Sequence, residues 1–139
     1  MNYLQSKSEF NFTAAKILLE DYDNPASSVH CSYYGCFQLI SHKLNNLGHS
    51  YADIANEITA SKTKIIKLST HGYPLQLMCN IMKSQIRDSG FSARELDDKM
   101  GLLKRFRTKS DYKNLDVTIH QGKEALRLSA DIQGLLKKI

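Results

Sequence analysis

The fold is decided by the stretch PASSVHCSYYGCFQLISHKLNNL, residues 25–47, which carries the clearest apolar pattern in the chain. Its apolar residues recur at steps of three and four, the spacing that places side chains on one face of an α-helix. Those residues are Ala26, Val29, Tyr33, Phe37, Ile40, Leu44 and Leu47. Asn24 followed by Pro25 is typical of a helix start, and Gly48 of a helix end. We therefore predict a long helix over about residues 26–47.

Helical spacing continues on both sides of that stretch. A first helix is predicted over about residues 3–22. Its apolar face is formed by Leu4, Phe10, Ala14, Ile17, Leu18 and Tyr22. A short helix is expected around residues 51–58, and one or two further turns over residues 62–68.

The second half of the chain shows the same pattern. Pro74 can open a helix, because its fixed backbone angle suits the first helical position. Ser92 and Glu95 have the spacing of a capping box, which predicts a helix from there to about residue 112. Asn114 or Asp116 can cap the last helix.

Chain length and composition fit one globular domain. The chain has 139 residues, of which 42% are hydrophobic and 24% are charged, and regularly alternating strand patterns are absent. We therefore predict an all-α fold, an up-and-down bundle of four to five main helices that forms a single domain over residues 1–139.

The sequence predicts neither a membrane protein nor a secreted one. No stretch approaches about eighteen unbroken apolar residues, and the first residues lack the charged-then-apolar layout of a signal peptide. Cys31, Cys36 and Cys79 are an odd number and sit within apolar patterns, which argues against a disulfide framework. The cytoplasm is therefore the expected compartment, with no membrane partner.

The densest basic segment spans residues 99–113, in a chain whose net charge is +5. Its positive residues and interleaved aromatic residues are Lys99, Lys104, Arg105, Phe106, Arg107, Lys109, Tyr112 and Lys113. Guanidinium groups bind phosphates in a forked geometry, and aromatic rings stack on unpaired bases, so the segment is a candidate RNA-binding surface. The alternative is a solvated helix end whose cations complement the helix dipole.

Arg107 stands where a structural helix would carry an apolar residue. It extends the stripe of Leu96, Met100 and Leu103 by one further step of four, and Asp111 lies one turn later. Two interpretations are open. The pair is either an ordinary surface ion pair, worth about a few tenths of a kcal/mol, or an arginine that the aspartate holds and directs into a cleft.

No metal site or cofactor is predicted. Cys31 and Cys36 are five residues apart and therefore lie off a common helix face. The five histidines show neither an HxxxH nor an HxxE spacing, and the seven glycines are scattered singly rather than grouped in a phosphate-binding loop.

Three segments resemble one known family. SSVHCSYYGCF, residues 27–37, resembles the helix-2 signature of HEPN domains, in which a paired Tyr-Tyr is followed by a small residue and then Phe. RTKSDY, residues 107–112, is similar to the Arg-x-x-Ala-Asp-Tyr motif found late in bundles of that family. Thr70-His71-Gly72 resembles a Thr-His-small step between the two, and the order and rough spacing match.

The resemblance implies a function as well as a fold. Many HEPN proteins are metal-independent ribonucleases or toxins of prokaryotic conflict systems. Others are encoded beside a minimal nucleotidyltransferase that neutralises them, or bind RNA without cleaving it. For this chain the resemblance implies a member of a toxin–antitoxin or defence-type module, which binds RNA or a minimal nucleotidyltransferase and forms a homodimer through helix faces near Arg107. The implied binding residues are Tyr34, Arg105, Arg107, Lys109, Asp111 and Tyr112.

The sequence departs from the family's ribonuclease motif. In active members four to six residues separate an arginine from a later histidine, which assists proton transfer. After Arg105 and after Arg107 those positions run from Ser110 to Asn114 and include no histidine. We therefore expect weak ribonuclease activity or none, unless His30, His71 or His120 reaches the cleft from elsewhere in the fold.

Two alternatives stay open. The chain can instead be a non-catalytic helical bundle that acts as a protein–protein interaction or scaffold module. The paired tyrosines, Tyr33 and Tyr34, are expected to pack in the bundle with their hydroxyls on polar partners, and a role beside Arg107 and Asp111 is the alternative.

Overall fold

A computed structural model describes residues 3–112 and 115–139, and these residues form six helices and no strand. The helices are α1 (Leu4–Glu20), α2 (Pro25–Asn46), α3 (Tyr51–Ser61), α4 (Gly72–Gln85), α5 (Phe91–Tyr112) and α6 (Ile119–Leu136). The prediction of an all-α bundle is confirmed. The predicted count of four to five main helices is too low, because α3 is a full helix capped by Ser50, whose hydroxyl accepts from the Asp53 amide at 3.1 Å.

The central element is α2, which contacts each of the other five helices. Residues of its predicted apolar stripe lie in the hydrophobic core. Val29 and Leu44 are completely buried, and Ile40 is 1% exposed. Both predicted boundary signals are present. The Asn24 side chain accepts from the Ser27 amide, and Gly48 adopts a φ of +95°, a conformation that favours glycine.

The packing face of α1 differs from its predicted apolar face. Phe10 and Ile17 are 75% and 42% exposed, whereas Ala15 and Leu19 are buried. The face turned to α2 instead carries Ala15 and Phe12, and the Phe12 ring lies against Gly35 of α2. The Ser28 hydroxyl donates to the Ala15 carbonyl at 2.6 Å, a contact that large side chains at the same place would prevent.

Two predicted helix caps are wrong. Ser92 lies inside α5, and both its amide and its hydroxyl donate to the Asp88 carboxylate, at 3.0 and 2.5 Å. These hydrogen bonds lower the pKa of Asp88. The capping box belongs to α6 instead, where Thr118 and Gln121 exchange side-chain and backbone hydrogen bonds. Asp116 therefore does not cap that helix, and Asn114 lies outside the described residues.

The segment before α4 also differs from its prediction. Residues 62–66 form turns and bends rather than helix, and residues 67–68 have no regular structure. The Leu68 amide donates to the Ser61 hydroxyl at 2.9 Å. Pro74 is the third residue of α4 rather than the first, since the helix begins at Gly72. Within residues 3–112 and 115–139, no helix combines the length and apolar character needed to cross a bilayer.

A glycine of α6 allows that helix to lie against α1 and the start of α2. A Cβ added at Gly122 would stand 2.7 Å from the Leu19 Cδ1 and 3.0 Å from the Pro25 Cβ, whereas one added at Gly134 would meet nothing within 4 Å. Both glycines lie within α6, so replacing either of them with alanine should gain the same helix propensity.

We expect Gly122→Ala to lower the free energy of unfolding by about 1–3 kcal/mol, because the added methyl overpacks a rigid contact. Gly134→Ala should raise it by about 0.5–1 kcal/mol through helix propensity alone. Urea unfolding followed by circular dichroism measures both. Equal stabilisation by the two substitutions would contradict the close approach at Gly122.

Candidate functional site

Arg107 is a buried cation enclosed by aromatic rings. It lies on α5 and is 8% exposed. Its guanidinium carbon lies 4.9 Å from the centroid of the Tyr33 ring, 5.8 Å from that of Tyr34 and 5.4 Å from that of Tyr112. A cation within about 6 Å of an aromatic face is attracted by the negative face of the ring. The three tyrosines therefore replace part of the solvent that this charge has lost.

The polar contacts of Arg107 are long for a buried charge. One of its terminal nitrogens donates to the hydroxyls of Tyr34 and Tyr112 at 3.3 and 3.4 Å, and lies 3.9 Å from the Asp111 carboxylate. The Nε is buried and has no hydrogen-bond partner among the described residues. Burial disfavours the charge, but the tyrosine oxygens outweigh it and raise the pKa of Arg107. The guanidinium is therefore charged and only partly paired.

The Asp111 carboxylate is shared between Arg107 and a histidine of α2. The His30 Nδ1 lies 3.0 and 2.9 Å from the two carboxylate oxygens. An ionised carboxylate only accepts hydrogen bonds, so the proton of a neutral His30 ring sits on Nδ1 and leaves Nε2 as an acceptor. The His30 side chain is 48% exposed, so its Nε2 side can meet a bound molecule.

A second histidine lies on the other side of the tyrosines. The His71 Nδ1 is 2.6 Å from the Tyr33 hydroxyl, and its ring stacks on Phe37 at 4.4 Å. Burial raises the pKa of Tyr33 to about 12, so Tyr33 keeps its proton and donates it to Nδ1. Burial, with the charges of Arg107 and Lys104, lowers the pKa of His71. This imidazole is therefore neutral at pH 7.

These residues form one site, which we call the Arg107 cluster: His30, Tyr33, Tyr34, His71, Arg107, Asp111 and Tyr112. On α2, Tyr33 and Tyr34 lie about one turn after His30, and on α5, Asp111 and Tyr112 lie about one turn after Arg107. The two helices pack together. His71 is the residue immediately before α4. The cluster thus joins the three segments on which the family resemblance rests.

Four of the six predicted binding residues lie in this cluster, namely Tyr34, Arg107, Asp111 and Tyr112. Arg105 is exposed and, with Lys104, lines a neighbouring cavity of about 400 Å³. We call Lys104 and Arg105 the basic rim. Lys109 lies apart, and its ammonium group donates to the Gln121 side chain at 3.1 Å.

Other residues of the basic segment have structural partners. Lys99 pairs with Asp131 at 2.7 Å and with Glu95 at 3.6 Å. Phe106 packs against the hydrophobic core, and Lys113 lies outside the described residues. The cavity wall beside the basic rim also carries two carboxylates, Asp97 and Asp98. Among the described residues of the basic segment, Lys104 and Arg105 are thus the exposed cations without an ion pair.

Sequence reasoning named His30 and His71 but did not place them in the site. His30 could have been found, since it precedes Tyr34 by four residues and so shares its helix face. His71 meets Tyr33 across 38 residues of chain, a contact that spacing cannot reveal. His120 is exposed and makes no contact with the cluster among the described residues.

The cluster centres on one partly paired guanidinium. Within the described ranges, no three histidine, cysteine or acidic side chains are placed to hold a metal ion. The thiols of Cys36 and Cys79 are buried, and burial raises their pKa to about 12 and about 11. A thiolate nucleophile is therefore disfavoured at both positions.

Comparison with known proteins does not assign a family. No family model matches the chain, and no curated protein or solved structure matches it either. The HEPN resemblance accordingly stays a prediction drawn from the residues of the chain itself.

Acid should destabilise the fold through His71. Its folded pKa lies below the usual value of about 6.5, so the unfolded state binds the proton more readily. The stabilising contribution is complete above about pH 6.5 and is lost as the pH falls towards the folded value. Urea unfolding at pH 7.5 and pH 5.5 should show a larger loss for the native protein than for His71→Gln. The control is His120→Gln, which should keep the native pH dependence, and an unchanged dependence in His71→Gln would contradict the prediction.

Proposed function

We propose that this chain is a HEPN-like protein of a prokaryotic toxin–antitoxin or defence-type module, which binds RNA in the cytoplasm through the Arg107 cluster. One observation carries the proposal. Arg107 is a buried cation whose nearest carboxylate is 3.9 Å away and whose Nε has no partner among the described residues. A buried charge is costly unless it is paired, and a phosphate oxygen at the terminal nitrogen would give this cation a charged partner at hydrogen-bond distance.

The surroundings of Arg107 favour RNA over a free anion. The exposed basic rim, Lys104 and Arg105, can hold neighbouring phosphates of the same strand by charge. Tyr112 is 69% exposed although it contacts Arg107 through its hydroxyl and its ring, so the exposed part of the ring can stack on an unpaired base. A phosphate that binds Arg107 would take the place of the Tyr112 hydroxyl. Single-stranded RNA therefore fits the site best.

The same surface can serve a protein partner. A minimal nucleotidyltransferase is the partner that the resemblance implies, and a homodimer is the implied assembly. The alternative function is a scaffold or interaction module in which Arg107 only stabilises the fold. A gene for a small nucleotidyltransferase beside the gene for this chain would favour the first function.

RNA cleavage is proposed to be weak or absent, because Arg107 is covered by three tyrosines and the family's motif histidine is missing. One observation favours metal-independent cleavage as a second candidate function. His30, with Nδ1 fixed by Asp111, presents Nε2 as a proton acceptor. It would take the proton of a ribose 2′-hydroxyl while the 2′-oxygen bonds to phosphorus. The bond to the 5′-oxygen would then break, and water would protonate the leaving oxygen.

Binding of single-stranded RNA should weaken steeply with salt, because phosphate contacts release bound counterions. Arg107→Ala should weaken binding roughly tenfold to a hundredfold, the range of a lost charge-assisted hydrogen bond. Lys137→Ala, which removes an equal charge from an exposed residue near the C-terminus, should change affinity much less. Fluorescence anisotropy across a salt series measures this, with circular dichroism to confirm that each variant is folded.

Arg105→Ala gives a further comparison, since Arg105 is exposed and its loss cannot disturb the core. It should reduce the salt slope by about one phosphate contact. Equal losses from Arg107→Ala and Lys137→Ala would mean diffuse attraction and would support the scaffold alternative.

Incubating single-stranded RNA with the protein in the presence of a chelator tests for metal-independent cleavage. We expect little or no product from the native protein, for the reasons given above. Arg107→Ala and His30→Ala are the matched variants. Robust cleavage that disappears in both would overturn the expectation and establish His30 as the proton acceptor.

A further inference from the structure

A cavity of about 400 Å³ lies beside the Arg107 cluster, between the start of α4 and the middle of α5. Its volume falls within the range of sites that hold small ligands, about 300–1,000 Å³. RNA binding as proposed above uses only its basic rim. The rest of the wall carries one histidine, two carboxylates and several apolar side chains, and these groups restrict what the cavity can hold.

The wall of this cavity carries charges of both signs. Lys104 and Arg105 attract anions, whereas Asp97 and Asp98 repel anions and accept hydrogen bonds from N–H groups. None of these four side chains has an ion-pair partner among the described residues. A ligand that satisfies the whole wall therefore carries a phosphate at one end and N–H donors at the other, which is the chemistry of a nucleotide.

His71 presents a hydrogen-bond donor of fixed position at the same wall. The Tyr33 hydroxyl donates to its Nδ1 at 2.6 Å, so the proton of the neutral ring is on Nε2. This Nε2 is not buried and has no hydrogen-bond partner among the described residues. The ring stacks on Phe37 at 4.4 Å and on Tyr33 at 5.5 Å. These contacts hold the imidazole in one orientation.

The cavity is open beside the Asp97 carboxylate. Asp97, Gly101 and Lys104 share one face of α5, because they are separated by steps of four and three. A Cβ added at Gly101 would meet nothing within 4 Å, so this face leaves space for a flat ring. Leu75 of α4 and Leu102 of α5 also line the cavity, and a base can cover their apolar surface.

We propose that this cavity binds an unpaired guanine of the RNA strand. The Asp97 carboxylate accepts from the N1–H and the N2 amino group of the base, and the His71 Nε2–H donates to O6. Of the four RNA bases, guanine alone has two adjacent donors on its Watson–Crick edge, so it alone pairs fully with a carboxylate. This inference rests on the proposed RNA binding and adds a base preference to it.

Tyr33 joins the guanine site to the Arg107 cluster. Its hydroxyl fixes His71, and its ring centroid lies 4.9 Å from the guanidinium carbon of Arg107. A base in the cavity and a phosphate at Arg107 can therefore belong to neighbouring nucleotides of one strand. The basic rim is then placed to hold the phosphate of the guanine nucleotide itself.

Fluorescence anisotropy with three labelled heptamers of uridine, which carry guanosine, inosine or adenosine at the centre, tests the base preference. The native chain should bind the guanosine strand roughly tenfold more tightly than the adenosine strand. Inosine keeps the N1–H and lacks the amino group, so its strand should fall between them. Equal affinities would refute the guanine site and leave RNA binding intact. Failure to bind any strand would refute the proposed function and the guanine site together.

Asp97→Asn should abolish the preference for guanosine over adenosine, because an amide offers one acceptor where the carboxylate offers two. The ratio of the two affinities is the readout, since loss of a negative charge tightens the binding of every strand. Asp21→Asn, at an exposed aspartate at the end of α1, is the matched control and should keep the native ratio. Loss of the preference in Asp98→Asn but not in Asp97→Asn would overturn the assignment to Asp97.

Gly101→Leu tests whether the base enters the cavity, because the new side chain would occupy the space beside Asp97. It should also abolish the preference while salt-dependent binding of all three strands persists. Gly134→Leu is the matched control, since a Cβ there also meets nothing within 4 Å and the residue lies on α6, away from the cavity. Circular dichroism checks that both variants are folded. A native preference retained in Gly101→Leu would refute binding in this cavity.

Discussion

Helix α2 is in contact with every other helix, so each of its faces must fit a different neighbour. Towards α1 it presents small residues, and the Ser28 hydroxyl donates to the Ala15 carbonyl. Towards α6 it presents Cys36, whose thiol contacts the Ser129 hydroxyl at 3.6 Å. Towards α5 it presents tyrosines. This constraint explains why the central helix of the protein is rich in serine, cysteine and tyrosine rather than in leucine.

The same constraint explains how far the fold could be predicted from the sequence. The stripe of Val29, Ile40 and Leu44 follows helical spacing, because these side chains face the interior and only apolar groups are tolerated there. For α1, apolar spacing predicted the wrong packing face. Its contact with α2 places Ala15 against Ser28 and the Phe12 ring against Gly35, and Phe10 is left outside. The capping box predicted at Ser92 was wrong, because Ser92 lies inside α5 and its amide and hydroxyl both donate to the Asp88 carboxylate.

Contacts within the Arg107 cluster could be predicted from the sequence where the two residues lie on one helix, and could not be predicted where they lie on different helices. Arg107 and Asp111 lie one turn apart, and so do His30 and Tyr34, so each pair can be read from the sequence. That the two pairs meet depends on how α2 packs against α5. His71 reaches Tyr33 from the start of α4, a contact that depends on where α4 packs against α2. Tertiary packing therefore supplies the contacts that make a single cluster of these residues.

The concentration of tyrosines around Arg107 has a consequence for measurement. The chain contains seven tyrosines and no tryptophan, so the weak ultraviolet emission of phenol is not masked by indole. Three of those phenols, Tyr33, Tyr34 and Tyr112, surround one guanidinium. Any molecule that moves Tyr112 away from Arg107 changes the surroundings of an emitting group. A change in the intrinsic emission of the unlabelled protein is thus the optical signal expected from a molecule that binds at this site.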